Sequence, residues 1–286
     1  MQAFKTEIKT FLKSKITVAG TAAFVFLIIG ITFLSYSSGA DTIRREIDSD
    51  NGAFPVGSAI ANRLTVLFPS LGINNALAAA LVVGLIILPI LAAAFVGTDY
   101  SQKTMYLKLE VYKLRTIILS KIVVFTGYVM LLTAFTSGLG FILGRILWNI
   151  YIEPIPGVSV YLKSVTAGTN YWMILLTFLA LMFYSLIAVL VSLIFKNAAA
   201  GVAASLLFCY FEEYVRFRYI PRWLFFNILG RVYYFNEYST TQYKMFHAMT
   251  GTPVWLCITL LIFYMLCFIL LPIFLISKFR RFRKFV

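Results

Sequence analysis

Residues 76–97 read ALAAALVVGLIILPILAAAFVG, an apolar run of 22 residues without a single charged side chain. An apolar helix of about 20 residues is long enough to span the hydrocarbon core of a bilayer. Over the whole chain 61% of the residues are apolar and only 13% are charged, whereas soluble domains carry about 25% charged residues. The composition therefore predicts a protein whose solvent is the bilayer.

The chain contains five more apolar runs of this kind. The six runs together predict an all-α membrane protein with six transmembrane helices in a single transmembrane domain, residues 1–286. The predicted spans cover residues 16–36, 76–97, 117–143, 171–195, 198–214 and 254–277. Residues 37–75 are charged and predict a solvated outward loop with room for a short helix. Residues 215–253 mix arginines with aromatic residues, which favours a re-entrant hairpin before the last helix.

The distribution of basic residues predicts the orientation of the chain. Of the 25 Lys and Arg residues, 15 fall on the side of the two termini. Cytoplasmic segments carry the excess of positive charge, so a multi-pass protein of the inner or plasma membrane with both termini in the cytoplasm is expected. Because the basic residues stand at the ends of apolar runs and not along one polar face, the net charge of +14 does not indicate nucleic-acid binding.

The strongest local signal is the loop that follows the second span. Residues 96–121 are too charged to span a membrane and too periodic to be disordered, which predicts a short amphipathic helix along the membrane face. Asp99 or Thr104 is expected to cap its start. An ordinary interfacial connector and a lever that docks into a partner protein both fit this composition.

This loop resembles that of the membrane subunits of ABC transporters of the ABC-2 (type V) class. The resemblance rests on Asp99-Tyr100, Thr104, Arg115 and Ser120-Lys121. The N-terminal segment from Glu7 to Lys15 is similar to the opening amphipathic helix of that family. One departure from the family pattern is Lys103, where the family often has Gly.

The resemblance implies a permease subunit of an ATP-driven exporter, in which a cytoplasmic coupling helix contacts a separate ABC ATPase. The residues assigned to this coupling are Glu7, Asp99, Tyr100, Thr104, Lys108, Glu110 and Arg115. No phosphate-binding G-x-x-x-x-G-K-[ST] motif occurs in the chain. ATP and Mg²⁺ are therefore expected on the partner ATPase, and no cofactor on this chain. A second permease subunit is also expected, with a homodimer favoured over a heterodimer.

Glu212 and Glu213, near the outer end of the fifth span, are candidates for an exit gate or extracellular hairpin. Glu212 and Arg216 are also spaced to form an i,i+4 ion pair, so a structural role stays open. Gly140 and Gly144 have the spacing that permits close helix contact, either within the subunit or in a dimer. The lone His247 and the three cysteines in apolar segments predict no metal site and no catalytic residue.

An amphipathic or hydrophobic cargo, such as a drug, an antimicrobial peptide or a lipid, fits helices that carry so few charges. Membrane lipid is the surrounding partner, and the chain itself is not expected to be an enzyme. The alternative is an ATP-independent transporter or channel, which predicts charges or broken helices at mid-membrane. A lipid-modifying enzyme would need converging acid–base residues, which the sequence does not offer.

Overall fold

Helices make up almost all of the chain that the computed structural model describes, which is residues 2–49, 54–162, 172–215 and 254–278. The helices are α1 Gln2–Lys13, α2 Lys15–Ser49, α3 Phe54–Leu67, α4 Gly72–Ser101, α5 Thr104–Val111, α6 Leu114–Leu147, α7 Val158–Leu162, α8 Trp172–Phe195, α9 Ala198–Val215 and α10 Val254–Lys278. A 3₁₀ turn, Pro69–Leu71, leads into α4, and a π-helical turn, Trp148–Ile152, extends α6.

Within the part of the chain that the structure describes, four helices are long and apolar enough to cross a membrane. These are α2, α4, α6 and α8, and α8 is the most buried of the four. Shorter apolar stretches lie in α9, Ala198–Phe211, and in α10, Ile258–Leu271. The all-helical, membrane-type fold is thus confirmed, while the arrangement of six spans stays a prediction. The hairpin predicted at 215–253 falls almost wholly outside the described residues.

The prediction for residues 37–75 is partly wrong: α3 supplies the short helix, but α2 continues to Ser49, so most of the segment that the structure describes is helical and not a solvated loop. Helix α2 has 35 residues and is about 52 Å long, well beyond the roughly 30 Å hydrocarbon core. Its C-terminal part keeps an apolar stripe, with Tyr36, Ala40 and Ile43 fully buried, against which α3 packs. Arg63 Nε of α3 donates a hydrogen bond to Glu46 Oε1 at 2.9 Å. The charges that suggested a loop therefore lie on the polar face of an amphipathic helix.

The close approach of α4 and α6 depends on glycine. A Cβ on Gly140 would lie 2.6 Å from the Cβ of Ala76 and 2.7 Å from the carbonyl oxygen of Gly72. A Cβ on Gly144 would lie 2.7 Å from the Cα of Gly72. The Gly140–Gly144 pair thus packs within the subunit, and that interpretation of the motif is confirmed. Gly138 on the same helix has no atom within 4 Å of its Cβ position.

These two glycines make a matched pair for mutation. We expect Gly140→Ala to lower the free energy of unfolding by about 1–3 kcal/mol, because two backbones must separate to admit the methyl group. Gly138→Ala is expected to be neutral or to stabilise by up to about 1 kcal/mol, since alanine favours helix. Thermal unfolding of the two purified variants in detergent measures the difference. Equal unfolding temperatures would contradict the packing described here.

Candidate functional site

Four charged side chains meet at the end of the membrane helices that carries the α4–α6 loop. Glu7 lies on α1, Asp99 on the last turns of α4, Lys108 on α5 and Lys121 on the early turns of α6. We call this group the charge junction. Glu7 and Lys121 are each 2% exposed and Asp99 is 5% exposed, so the charges are removed from water.

Each lysine joins the two carboxylates. Lys108 Nζ donates to Glu7 Oε1 and to Asp99 Oδ2, both at 2.7 Å. Lys121 Nζ lies 2.9 Å from Asp99 Oδ2 and 3.0 Å from Glu7 Oε2, and it donates to the carbonyl oxygen of Phe95 at 2.7 Å. Buried charges are tolerated when paired and hydrogen-bonded. The two positive and two negative charges balance, so the junction is neutral as a whole.

Charge pairing also keeps Lys108 protonated. Burial by itself lowers the pKa of a lysine, but the hydrogen bonds and negative charges of Asp99 and Glu7 outweigh burial here. The pKa of Lys108 is therefore raised from its ordinary value of 10.5. A lysine with a raised pKa contributes its full stabilisation below its ordinary pKa and loses it as the pH rises through the higher value. At neutral pH the Lys108 contacts are fully formed.

Helix α1 is held in place by its inward face. Ala3, Glu7 and Phe11 are spaced four residues apart and are buried, because positions i and i+4 lie on one helix face. The Phe11 ring centroid lies 4.7 Å from that of Phe95 and 5.0 Å from that of Tyr128. Lys121 Nζ lies 3.9 Å from the Phe95 ring centroid, a cation–π contact. An aromatic layer thus adjoins the charge junction.

The start of α5 differs from the prediction. The residue before its first turn is Lys103, and no side-chain capping bond is formed there, so capping by Asp99 or Thr104 is wrong. Thr104 Oγ1 donates instead to Asp99 Oδ1 at 3.0 Å, because the chain turns back on itself at Lys103. That turn places Lys103 in the left-handed region, with φ of 59°. A positive φ is what glycine adopts without steric cost.

The backbone geometry predicts opposite changes in stability when glycine replaces two exposed lysines, Lys103 and Lys113. Lys103→Gly should stabilise the protein by about 0.5–1 kcal/mol, because relief of left-handed strain exceeds the added entropy of the unfolded chain. Lys113, which precedes α6 with φ of −66°, is the control, and Lys113→Gly should destabilise by about 0.4–1 kcal/mol. Thermal unfolding of both variants in detergent tests this pair. Destabilisation by Lys103→Gly would show that the turn is not strained.

The remaining coupling candidates lie outside the charge junction. Tyr100 is partly buried and packs against the main core, whereas Glu110 and Arg115 are exposed.

The helix of Glu212 and Glu213 continues to Val215 as predicted, but their side chains and Arg216 lie outside the described residues. Lys121 also belongs to the charge junction. From the sequence it contributed only to the predicted orientation of the chain and to the family resemblance. The available signal was its position inside the predicted span 117–143, because a charged residue within a span needs a partner.

The other face of α5 is open. Tyr106 is 54% exposed, Leu107 65% and Val111 71%, and Glu110 lies beside them on the same face. Met105 and Lys108 point the opposite way, toward the protein. Helix α5 therefore has a face fixed to the membrane helices and a face with three large uncovered side chains.

Comparison with known proteins does not identify this chain. No family model, no curated protein and no solved structure matches it. Its function must therefore be inferred from the geometry of the charge junction and from the resemblance carried by the α4–α6 loop.

Proposed function

We propose that this chain is the membrane-spanning permease subunit of an ATP-driven ABC exporter that draws its energy from a separate ATPase subunit. The observation that carries the proposal is the two-sided construction of α5. Its inner face is tied by the charge junction to α1, α4 and α6. Its outer face offers a site for another protein.

The outer face has the composition of a docking surface. Exposed apolar side chains on a segment outside the spans mark a site of interaction. Tyr106, Leu107 and Val111 would supply the apolar centre, and the exposed Glu110 and Arg115 would supply charges at the rim. Such rim charges favour the correct partner and register more than they add affinity. An ordinary interfacial connector would instead bury the same three side chains in lipid.

The charge junction supports transmission of movement from that surface. Lys108 of α5 bonds to a carboxylate on α1 and to one on α4, and Lys121 of α6 pairs with the same two carboxylates. A push on α5 would therefore act on three other helices at once. Packed elements of this kind move between discrete arrangements instead of deforming continuously. Tilting of α4 and α6 between inward-open and outward-open states is the proposed consequence.

The wider proposal follows from the sequence predictions. Both termini and α5 would face the cytoplasm of an inner or plasma membrane, with α9 and α10 as the fifth and sixth spans. Two such subunits would enclose the path for an amphipathic or hydrophobic cargo, with α4 and α9 as its walls. ATP and Mg²⁺ would bind to the partner ATPase.

An ATP-independent transporter or channel is the other candidate. It would require charged groups open to an ion or substrate within the membrane. The described charges of the junction are instead paired with one another at the helix ends. This arrangement favours a structural linkage over an ion site.

Purification of the tagged full chain from its native membrane tests the proposal. We expect a protein with a phosphate-binding Walker motif to co-purify and the preparation to hydrolyse ATP. The same preparation from cells that lack that protein is the control and should be inactive. A folded chain that carries no ATP-hydrolysing partner in any detergent or nanodisc would overturn the proposal.

A further inference from the structure

A groove runs along one face of α2, near the end of the helix that begins at Lys15. Its volume is about 620 Å³. Most of its wall comes from one face of α2, and Leu12 at the end of α1 and Tyr128 near the middle of α6 complete it. The lining residues are Leu12, Thr17, Val18, Thr21, Ala22, Val25, Phe26, Ile29 and Tyr128.

The groove has the length and polarity of an acyl-chain site. From Thr17 to Ile29 the helix rises about 18 Å, close to half of the roughly 30 Å hydrocarbon core. Among its polar groups, the Thr21 and Tyr128 hydroxyls bond each other at 2.7 Å, and Thr21 also donates to the carbonyl oxygen of Thr17. These hydroxyl groups need no partner from a ligand, so the walls present an apolar surface.

Positive charge stands at one end of the groove. Lys13 and Lys15 are exposed and lie in the chain between two lining residues, Leu12 and Thr17. Lys9 is exposed one turn earlier on α1. The acidic residue of α1, Glu7, is turned away into the charge junction. The mouth of the groove is therefore basic, and no carboxylate of α1 opposes an anionic group there.

We propose that this groove binds an anionic phospholipid, with one acyl chain along α2 and its phosphate beside Lys13 and Lys15. The lipid belongs to the leaflet on the side of the α4–α6 loop, since Lys15 and the charge junction lie at the same end of the helices. The Tyr128 side chain forms part of both the groove wall and the aromatic layer around Phe11. A bound lipid therefore helps to hold α1 in its packed position. This site requires only that the chain spans a membrane, so its failure would leave the ATPase proposal standing.

The headgroup part is tested by native mass spectrometry of the full chain in a neutral detergent. The probes are phosphatidylglycerol and phosphatidylcholine with identical acyl chains. Each lysine near an anionic headgroup contributes about fivefold in affinity. The double variant Lys13→Gln, Lys15→Gln should therefore lose about 25-fold in preference for phosphatidylglycerol. The control, Lys103→Gln with Lys113→Gln, removes the same charge from another exposed site and should keep the preference. Equal behaviour of the two double variants would overturn the proposal.

The acyl-chain part is tested by two neighbouring alanines. Ala22 lines the groove, whereas Ala23 is equally open but lies outside the lining. Ala22→Phe should weaken binding of both phospholipids about tenfold, as expected when about two methylene groups lose their contacts. Ala23→Phe should leave both affinities unchanged. An Ala22→Phe variant that binds both lipids like Ala23→Phe would also overturn the proposal. Because each comparison is made between lipids or between adjacent positions, a general loss of stability does not mimic the expected result.

Discussion

Replacing Asp99 with asparagine is expected to lower the free energy of unfolding by about 3–5 kcal/mol. Asp99 Oδ2 accepts a hydrogen bond from Lys108 at 2.7 Å and forms an ion pair with Lys121 at 2.9 Å. Asparagine keeps the size of the side chain but removes its charge, which leaves the buried Lys121 and the partly buried Lys108 with only Glu7. A loss of this size is a large part of the 5–15 kcal/mol that stabilises a typical domain. The unfolding temperature in detergent is the measurement.

Two controls separate the junction from a general effect of mutation. Glu110→Gln removes an exposed carboxylate from the same loop and is expected to change the stability by less than about 0.5 kcal/mol. Adding Lys121→Met to Asp99→Asn restores the balance of charge, with Glu7 and Lys108 as the remaining pair. The double variant should then be more stable than the sum of the two single losses. Strict additivity, or an Asp99→Asn variant as stable as Glu110→Gln, would refute the described pairing.

The second large effect is expected at the outer face of α5. Leu107→Asp should weaken association with the ATPase about a hundredfold or more, because it buries an unpaired charge at the centre of the proposed interface. Leu107 is 65% exposed in this chain, so the variant should unfold at the same temperature as the original protein. Leu107→Met keeps the side chain apolar and should retain the association. The fraction of ATPase recovered with each tagged variant is the readout, and full recovery with Leu107→Asp would contradict the docking surface.

Several features of the fold could be predicted from the sequence, because they depend on the local pattern of apolar residues and glycines. The apolar runs predicted the helices α4, α6 and α8, and the break between α8 and α9 was placed at Lys196 and Asn197. Spacing alone indicated that Gly140 and Gly144 permit a close helix contact. The helix bounds of α9 and α10 also agree closely with residues 198–214 and 254–277.

The C-terminal part of α2 shows where the local pattern of the sequence misleads. Asp41, Arg44 and Glu46 read as loop residues, since charge is typical of solvated segments. The buried stripe of Tyr36, Ala40 and Ile43 has helical spacing, but it becomes a stable helix only when α3 and the end of α6 cover it. Tertiary packing makes this segment helical, whereas its composition predicted a loop.

The candidate site was found only as a set of separate residues. The family resemblance singled out Glu7, Asp99 and Lys108, but it did not indicate that they bind one another. Glu7 and Lys108 are 101 positions apart in the chain, and no periodicity relates residues at such a distance. Lys121 was missed as a site residue because basic residues near helix ends serve orientation in most membrane proteins. Its burial in the folded chain gives it a different role.

Photo-crosslinking from α5 in intact cells is the most direct test of the proposed docking surface. A photoreactive residue at position 107 replaces the exposed Leu107, and one at position 105 replaces Met105, which is 3% exposed. We predict that position 107 forms an adduct with a protein that contains a phosphate-binding Walker motif, and that position 105 forms none. Adducts from position 107 that contain only lipid, or a protein without such a motif, would contradict this prediction.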